Sequence, residues 1–240
     1  MPSADAKRRR EEGSLRPETV KHYLETIFYV SSEEGRVRPG RIADWLGVRP
    51  PTVSDTLRRL ERDGWIQIAP DRTVALTRRG LEEASRVVRI HRLLERWLTD
   101  VLGFDWASAD DLAQQIAPGF PGTVADRLDE HLGHPSTCPH GNLIPGRKQP
   151  YGKLTALSDL RAGTPARIRR ISEVTEHEAP DLLRRLDAHG LVTGAEVAVV
   201  EETSSHDAIT VASGGRTIAL GLGTAASIWV EPFGSSAISS

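Results

Sequence analysis

Apolar positions recur along the first hundred residues at two different periods, and the change of period divides that stretch. From Pro17, a good first helical residue, Tyr23, Leu24, Ile27, Phe28 and Val30 fall on one face of a helix that stops in Ser31-Ser32-Glu33-Glu34-Gly35. Ile42, Ala43, Trp45 and Leu46 mark a second helix over 41–46, ended by Gly47, which readily takes the positive φ of a helix stop. Pro50 and Pro51 suit a turn and a first helical position, where a missing N–H costs little, and Val53, Leu57 and Leu60 form the buried stripe of a third helix. The period then falls to two. Trp65, Ile66, Ile68, Val74 and Leu76 flank Ala69-Pro70-Asp71-Arg72, which predicts a β-hairpin with a basic tip.

The polar positions add chemistry to this pattern. Opposite the stripe of the third helix stand Thr52, Ser54, Asp55, Arg58, Arg59 and Arg62. Two short helices on a glycine turn, the second presenting hydroxyls and guanidinium groups, followed by a hairpin, match a winged helix-turn-helix over 16–77. Thr52, Ser54, Asp55 and Arg58 are expected to reach base edges, with Pro51 on the same exposed helix start, while Arg49, Arg59 and Arg72 neutralise phosphates. Asp55 is unusual there, since a carboxylate accepts from cytosine N4 but is repelled by phosphate. The plainer alternative is a winged helix used only for protein contacts; the basic, hydroxyl-rich face favours double-stranded DNA.

Beyond the hairpin, Thr77 caps a long helix whose residues Leu81, Ala84, Val87, Val88, Ile90, Leu93, Leu94, Trp97, Leu98 and Val101 cover more than one stripe before Gly103. That surplus suits a subunit interface as well as internal packing. A helix from Ser108, a break at 118–122 and a helix over 123–132 complete a helical domain over 78–140, and 141–153 is a proline- and glycine-rich linker. Short strands are expected at 166–171, 196–201, 208–212, 217–220 and 227–230, with one helix over 179–189, giving a small, partly open barrel over 154–234. Residues 1–15, with Lys7 to Arg10, read as a polar, disordered basic arm. The fold class is α+β.

Composition narrows the setting. No apolar run approaches the ~20 residues a membrane helix needs. The N-terminus lacks the apolar core of a signal peptide, and the single cysteine forms no internal disulfide, so a reducing cytoplasm is expected. The net charge of −2 hides an asymmetry: residues 1–80 hold 16 Lys and Arg against 12 Asp and Glu, leaving 15 against 21 for the rest. The basic part coincides with the expected DNA reader. Phosphate-cradling glycine loops, nucleophile elbows and HExxH helices are absent, so an enzyme is not expected.

Five blocks in order, YLETIFYV, PPTVSDTLRRLERDGW, LTRRG, IHRLLERWLTDVLG and LGHPSTCPHGNLIPG, resemble the diphtheria toxin repressor family of metal-dependent transcriptional regulators, and the C-terminal part resembles the SH3-like barrel of its longer members. The resemblance implies a helical dimerisation domain, a homodimer, a palindromic operator and activation by Mn²⁺ or Fe²⁺, with Zn²⁺ also suited to the ligands. It implies metal ligands at His91 and Glu95, which share a helix face at i and i+4, at Asp110, and at Glu178 and Asp181 in the barrel. A second site of the family is altered here. Gln114, Ala117 and Pro118 occupy three of its ligand positions and His22 a fourth; alanine and proline cannot coordinate, so that site is expected to be degenerate. Cys138 with His134 and His140 lacks the paired spacing of a structural zinc site and reads as linker.

The expected function is therefore a metal-dependent repressor. A second possibility keeps DNA binding without the metal switch, as a constitutive or otherwise liganded regulator. A third is a metal-sequestering or adaptor protein that does not read DNA.

Overall fold

The computed structural model describes residues 15–203 and 207–233. The basic arm Lys7 to Arg10 lies outside the described residues, as do the side chains of Glu178, Pro180 and residues 201–203. The chain forms two compact units, Met1–Val88 and Arg89–Ser240.

In the first unit, α1 (Pro17–Glu34), α2 (Pro39–Leu46) and α3 (Pro50–Arg62) each begin with proline, whose fixed φ suits a first helical turn and whose missing N–H would have no partner there. Gly47 ends α2 in the left-handed region at φ 61°, and its N–H bonds the carbonyls of Ala43 and Asp44. The apolar stripes converge: Leu24, Ile27, Val30, Ile42, Val53, Leu57 and Leu60 are buried together with Ile66 and Val74 of the hairpin. That hairpin pairs β1 (Ile66–Ile68) with β2 (Val74–Leu76), and Val37 adds an isolated antiparallel bridge to Val74. At its tip Asp71 accepts from the backbone N–H of Thr73 at 3.0 Å and from its hydroxyl at 2.9 Å. Arg72 occupies the turn at φ 65°. α4 (Arg78–Arg96) leaves the hairpin so closely that a Cβ on Gly80 would meet the Trp65 carbonyl oxygen at 2.0 Å.

α4 carries its last residues into the second unit. The apolar pattern predicts one α-helix through Val101, but the residues from Trp97 to Val101 form a π-helical turn in which the Leu102 N–H bonds the Trp97 carbonyl at 3.2 Å. Neither glycine nor proline marks this change, so the apolar period alone does not reveal it. α5 (Trp106–Ile116) starts two residues before Ser108, because Asp105 caps it by accepting from the Ser108 N–H at 3.1 Å. A single 3₁₀ turn (Ala117–Gly119) separates it from α6 (Gly122–His131).

The rest is an antiparallel sheet of six strands where the sequence suggests five: β3 (Thr155–Ala156), β4 (Pro165–Ile171), β5 (Glu196–Thr203), β6 (Ala208–Ser213), β7 (Arg216–Gly221) and β8 (Ile228–Pro232). Their order is β3-β8-β4-β5-β6-β7, and β3 and β7 stand at opposite ends of it, so the sheet is open. The additional strand is only two residues long, below the length at which alternation is readable. Between β4 and β5 lie α7 (Glu173–Glu178) and α8 (Pro180–Ala188), and α9 (Leu222–Ala226) precedes β8. Ile168, Ile171, Leu183, Leu186, Val199, Val211, Ile228 and Val230 fill the interior, and Trp106 and Ala107 of α5 join the same core.

Candidate metal centre and nucleic-acid interface

On the first unit the helix α3 buries Val53, Leu57 and Leu60 and leaves Arg49, Pro51, Thr52, Asp55, Arg58 and Arg59 exposed, with Arg72 exposed at the hairpin tip. Ser54 is half-buried and its hydroxyl donates to the Pro50 carbonyl at 3.1 Å. Asp55 does not stand alone: its Oδ1 accepts from the Arg58 guanidinium at 2.8 Å, and both side chains are exposed. An aspartate one turn before an arginine fixes the direction of the guanidinium fork and leaves further N–H groups to aim outward.

The second unit holds a different concentration of chemistry. His91 and Glu95 lie one turn apart on α4, buried at 4% and 2% exposure. His91 Nε2 is 3.2 Å from Oδ1 of Asp110 on α5 and 3.6 Å from Oε2 of Glu95. Glu95 turns its other oxygen, Oε1, to within 2.9 Å of His140 Nδ1. His140 Nδ1 in turn lies 3.9 Å from Cys138 Sγ and 3.5 Å from Glu176 Oε2. Between its neighbours, Arg92 donates to Glu173 and to the Leu143 carbonyl.

A glycine brings the linker here. Gly141, at φ 88°, approaches β4 so closely that a Cβ would fall 1.8 Å from the Arg169 carbonyl oxygen. The Ile171 N–H then bonds the His140 carbonyl at 2.8 Å, and Cys138 and Asn142 pair across the turn through Cys138 N–H to Asn142 O at 2.9 Å. Arg96 holds the other side by donating to the carbonyls of Thr137 at 2.8 Å and Cys138 at 3.1 Å. Trp106 packs edge-on against the His140 ring. α7 adds Glu173 and Glu176, one turn apart, and Asn142 donates to Glu176 Oε1 at 2.8 Å.

Electrostatics leave this cluster short of positive charge. Burial pushes the Glu176 carboxyl well up, and the neighbouring Glu173, Glu95 and Asp110 push it further. Glu173 is raised by burial in spite of Arg92, and the Cys138 thiol is pushed well up by burial and by Glu95, Glu176 and Glu173. Burial also acts on Asp110, but the His91 hydrogen bond and the charges of His91, His140 and His177 outweigh it and hold its carboxyl below the usual range. Among the described residues, His140 Nε2 is buried without a hydrogen bond, and Glu95 Oε1 has the His140 Nδ1 contact at 2.9 Å. An orphaned imidazole nitrogen, with a carboxylate, imidazole and thiol set, fits a divalent transition metal. Two groups have ligand atoms within 4.8 Å of one another: His91, Glu95 and Asp110, and Glu95, Cys138 and His140.

The residues expected from sequence divide accordingly. His91, Glu95 and Asp110 come together. Asp181 directs its carboxyl to Arg184 at 2.8 Å, is 87% exposed, and stands outside both groups. The side chain of Glu178 lies outside the description. His22 is exposed on α1, and Gln114, Ala117 and Pro118 supply no thiolate or carboxylate. Cys138 and His140, read as linker, are buried in the cluster at 1% and 0% exposure. The Cys-Pro-His spacing was the one available signal for them, and nothing in the sequence marked Glu176.

Comparison with known proteins places this geometry. Residues 17–74 match the iron dependent repressor N-terminal DNA binding domain, residues 77–146 the iron dependent repressor metal binding and dimerisation domain, and residues 155–232 the FeoA domain. The iron-dependent repressor IdeR of Mycobacterium tuberculosis is 36% identical over 205 residues, covering 81% of this chain and 88% of its own length. The chain belongs to the iron-dependent repressor family. Another relative of this repressor is the diphtheria toxin repressor of Corynebacterium diphtheriae, 33% identical over 212 residues, with 85% and 92% of the two chains covered. Among solved structures, a manganese-dependent transcriptional repressor in complex with manganese shares 29% identity at a TM-score of 0.79, covering 89% of this chain and all (100%) of that one.

Proposed function

We propose that this member of the family is a cytoplasmic, homodimeric transcriptional repressor that grips a palindromic operator in its metal-loaded form, with Mn²⁺ or Fe²⁺ as the activating ion and Zn²⁺ also suited to the donors. The observation that carries the reading is the buried His91–Glu95–Asp110 group joined to Cys138, His140 and Glu176. When bound, the cation supplies the positive charge that lets these acidic groups ionise together in a dry interior. His91 and Glu95 hold from α4, Asp110 from α5, and Cys138 and His140 from the turn that Gly141 pins to β4. By linkage, a group that binds the DNA-competent conformation better than its alternative raises operator affinity by the ratio of those affinities.

On DNA, Thr52, Ser54 and Arg58 read base edges from α3, Asp55 sets the Arg58 fork, and Arg49, Arg59 and Arg72 meet phosphates. This assignment sharpens the role expected for Asp55, which positions an arginine and need not itself contact cytosine. Homodimer formation draws on the exposed Val101, Leu102, Phe104, Ile116 and Val124, all inside the segment that matches the dimerisation domain. No helix among the described residues is long and apolar enough to cross a membrane. The role is regulatory and not enzymatic.

Fluorescence anisotropy on operator DNA selected from random fragments tests the reading. Affinity is expected to rise at least tenfold when Mn²⁺ or Fe²⁺ replaces chelator, and equal affinity in both would refute metal activation. Ala117 and Pro118 favour one alternative, a regulator that binds DNA without the switch. Calorimetry showing no heat with any divalent metal, and no effect of His91→Ala, would select it.

A further inference from the structure

The six-stranded sheet ends on two unlike edges. β3 is two residues long, too short to template another strand, whereas β7 runs over the six residues Arg216–Gly221 and pairs on one side with β6. Among the described residues no strand pairs with its outer side, and no proline or lysine within it blunts that edge. Across a cleft from it lies α8, which contributes Leu182 and Leu186, while the strand contributes Ile218, Ala219, Leu220 and Gly221 in succession. Successive side chains of a strand point to opposite faces, so a cleft that touches four residues in a row lies against the strand's edge, where unpaired N–H and C=O groups emerge. We infer that this cleft takes an extended acidic peptide segment of a partner protein, which adds to β7 as a further strand, sets an apolar side chain against Leu182, Leu186 and Ile218, and lays its carboxylates against Arg185 and His189.

Backbone, space and charge choose this occupant. The open edge offers donors and acceptors in alternation, which another strand satisfies in register: main-chain bonds then supply affinity and the apolar cleft supplies selectivity. The cleft encloses about 290 Å³, at the bottom of the range of roughly 300–1,000 Å³ for small-molecule pockets, so it suits one or two aliphatic side chains and not a cofactor. Its polar lining is cationic. Arg185 and His189 are exposed at the cleft, and among the described residues neither side chain has an ion pair or hydrogen bond. The adjacent Arg184, by contrast, is held by Asp181 at 2.8 Å. Arg216 stands two residues further along the same strand, also exposed and also without a partner among the described residues. Uncommitted guanidinium groups beside an open strand edge favour carboxylates, which accept two parallel N–H bonds from one guanidinium. A second copy joined edge to edge through β7 would bring two such sets of cations onto one cleft, so charge selects an acidic partner instead. The surface shares no residue with the metal cluster or with the residues assigned to DNA.

The probe is a fluorescein-labelled peptide alternating glutamate with valine, six residues long to match β7, titrated into the full-length protein and followed by fluorescence anisotropy. Saturable binding is expected, with hydrogen exchange slowed over residues 216–221. Arg185→Glu, at an exposed position, should weaken binding roughly tenfold or more, and a peptide with lysine in place of glutamate should not bind. Strand addition uses one edge of the peptide, and its amides alternate between edges. Of two versions, N-methylated at every glutamate or at every valine, one should therefore lose binding and the other keep it. No binding of the glutamate peptide, equal binding of the lysine peptide, or an equal effect of the two methylations would each overturn the inference. Displacement of the peptide by octanoate would overturn it by assigning the cleft to a small acid, and a change of oligomeric state in Arg185→Glu by assigning the edge to a second copy. Melting curves show whether the variant is folded, and the methylated pair decides the question on the wild type even if it is not.

Discussion

Individual residues set the tolerances of this molecule. Gly141 combines a φ of 88° with a Cβ position 1.8 Å from the Arg169 carbonyl oxygen, so neither strain nor space admits a side chain. Gly141→Ala is expected to cost about 3 kcal/mol or more and to abolish metal uptake, seen as a lowered melting temperature together with loss of bound Mn²⁺. Asp129 is a second such point: buried on α6, it accepts from Arg89 at 2.8 Å and from Arg147, and His134 lies 3.4 Å away. Burial raises its pKa, but the hydrogen bonds from Arg147, Arg89 and His134 prevail and hold it below the ordinary value. A carboxylate depressed by folding stabilises the native state above its unfolded pKa and loses that contribution as pH falls through the folded one. Asp129→Asn should therefore melt lower than the wild type at pH 7, by an amount corresponding to about 1–3 kcal/mol, with the gap narrowing as pH falls below the ordinary aspartate range. A gap independent of pH would show that its charge is not what matters. For DNA, Asp55→Ala should release the Arg58 fork and lower discrimination at one base pair by about 1 kcal/mol more than it lowers overall affinity, measured by competition between operator variants.

At the scale of elements, the helices and hairpin of the first unit follow the periods in their sequence, because each buries one face and exposes the other. The exposed face of α3 and the tip of the hairpin then divide the labour. Arg58→Ala is expected to cost about 1–3 kcal/mol at one operator position, whereas Arg72→Ala should weaken all sequences alike and lower the salt slope of binding by about 1. Titrations at several salt concentrations separate the two. Elements of the second unit were less readable. The π-helical turn at Trp97–Val101 keeps the apolar period of the α-helix it follows. α7 is six residues long, too short for a stripe, yet it delivers Glu176 to the cluster, while the resemblance pointed to Glu178 and Asp181 nearby. So short an element shows no period from which the sequence could mark Glu176.

For the molecule as a whole, metal binding and stability are one equilibrium. Any ion that binds the folded chain and not the unfolded one adds about 2.7 kcal/mol at a hundredfold excess over its Kd, so the melting temperature should rise with Mn²⁺ concentration. Glu95→Gln, which weakens the donor common to both groups, should remove that rise, while the metal-free melting temperature reports separately whether the variant is folded. A rise that survives the substitution would locate the stabilising ion elsewhere.

The sequence by itself determined the fold class and the DNA reader, because both are written in local periods, caps and turn residues that act over a few positions, and five motif blocks in order carried the resemblance to the family. The resemblance also named His91, Glu95 and Asp110, the first two spaced by one turn of one helix. Only the tertiary structure decided that Cys138, His140 and Glu176 join them. Those residues come from a linker turn and a short helix far along the chain, and they meet Glu95 because Gly141 lets two backbones touch. Contacts made by packing between distant segments have no period, so spacing cannot announce them.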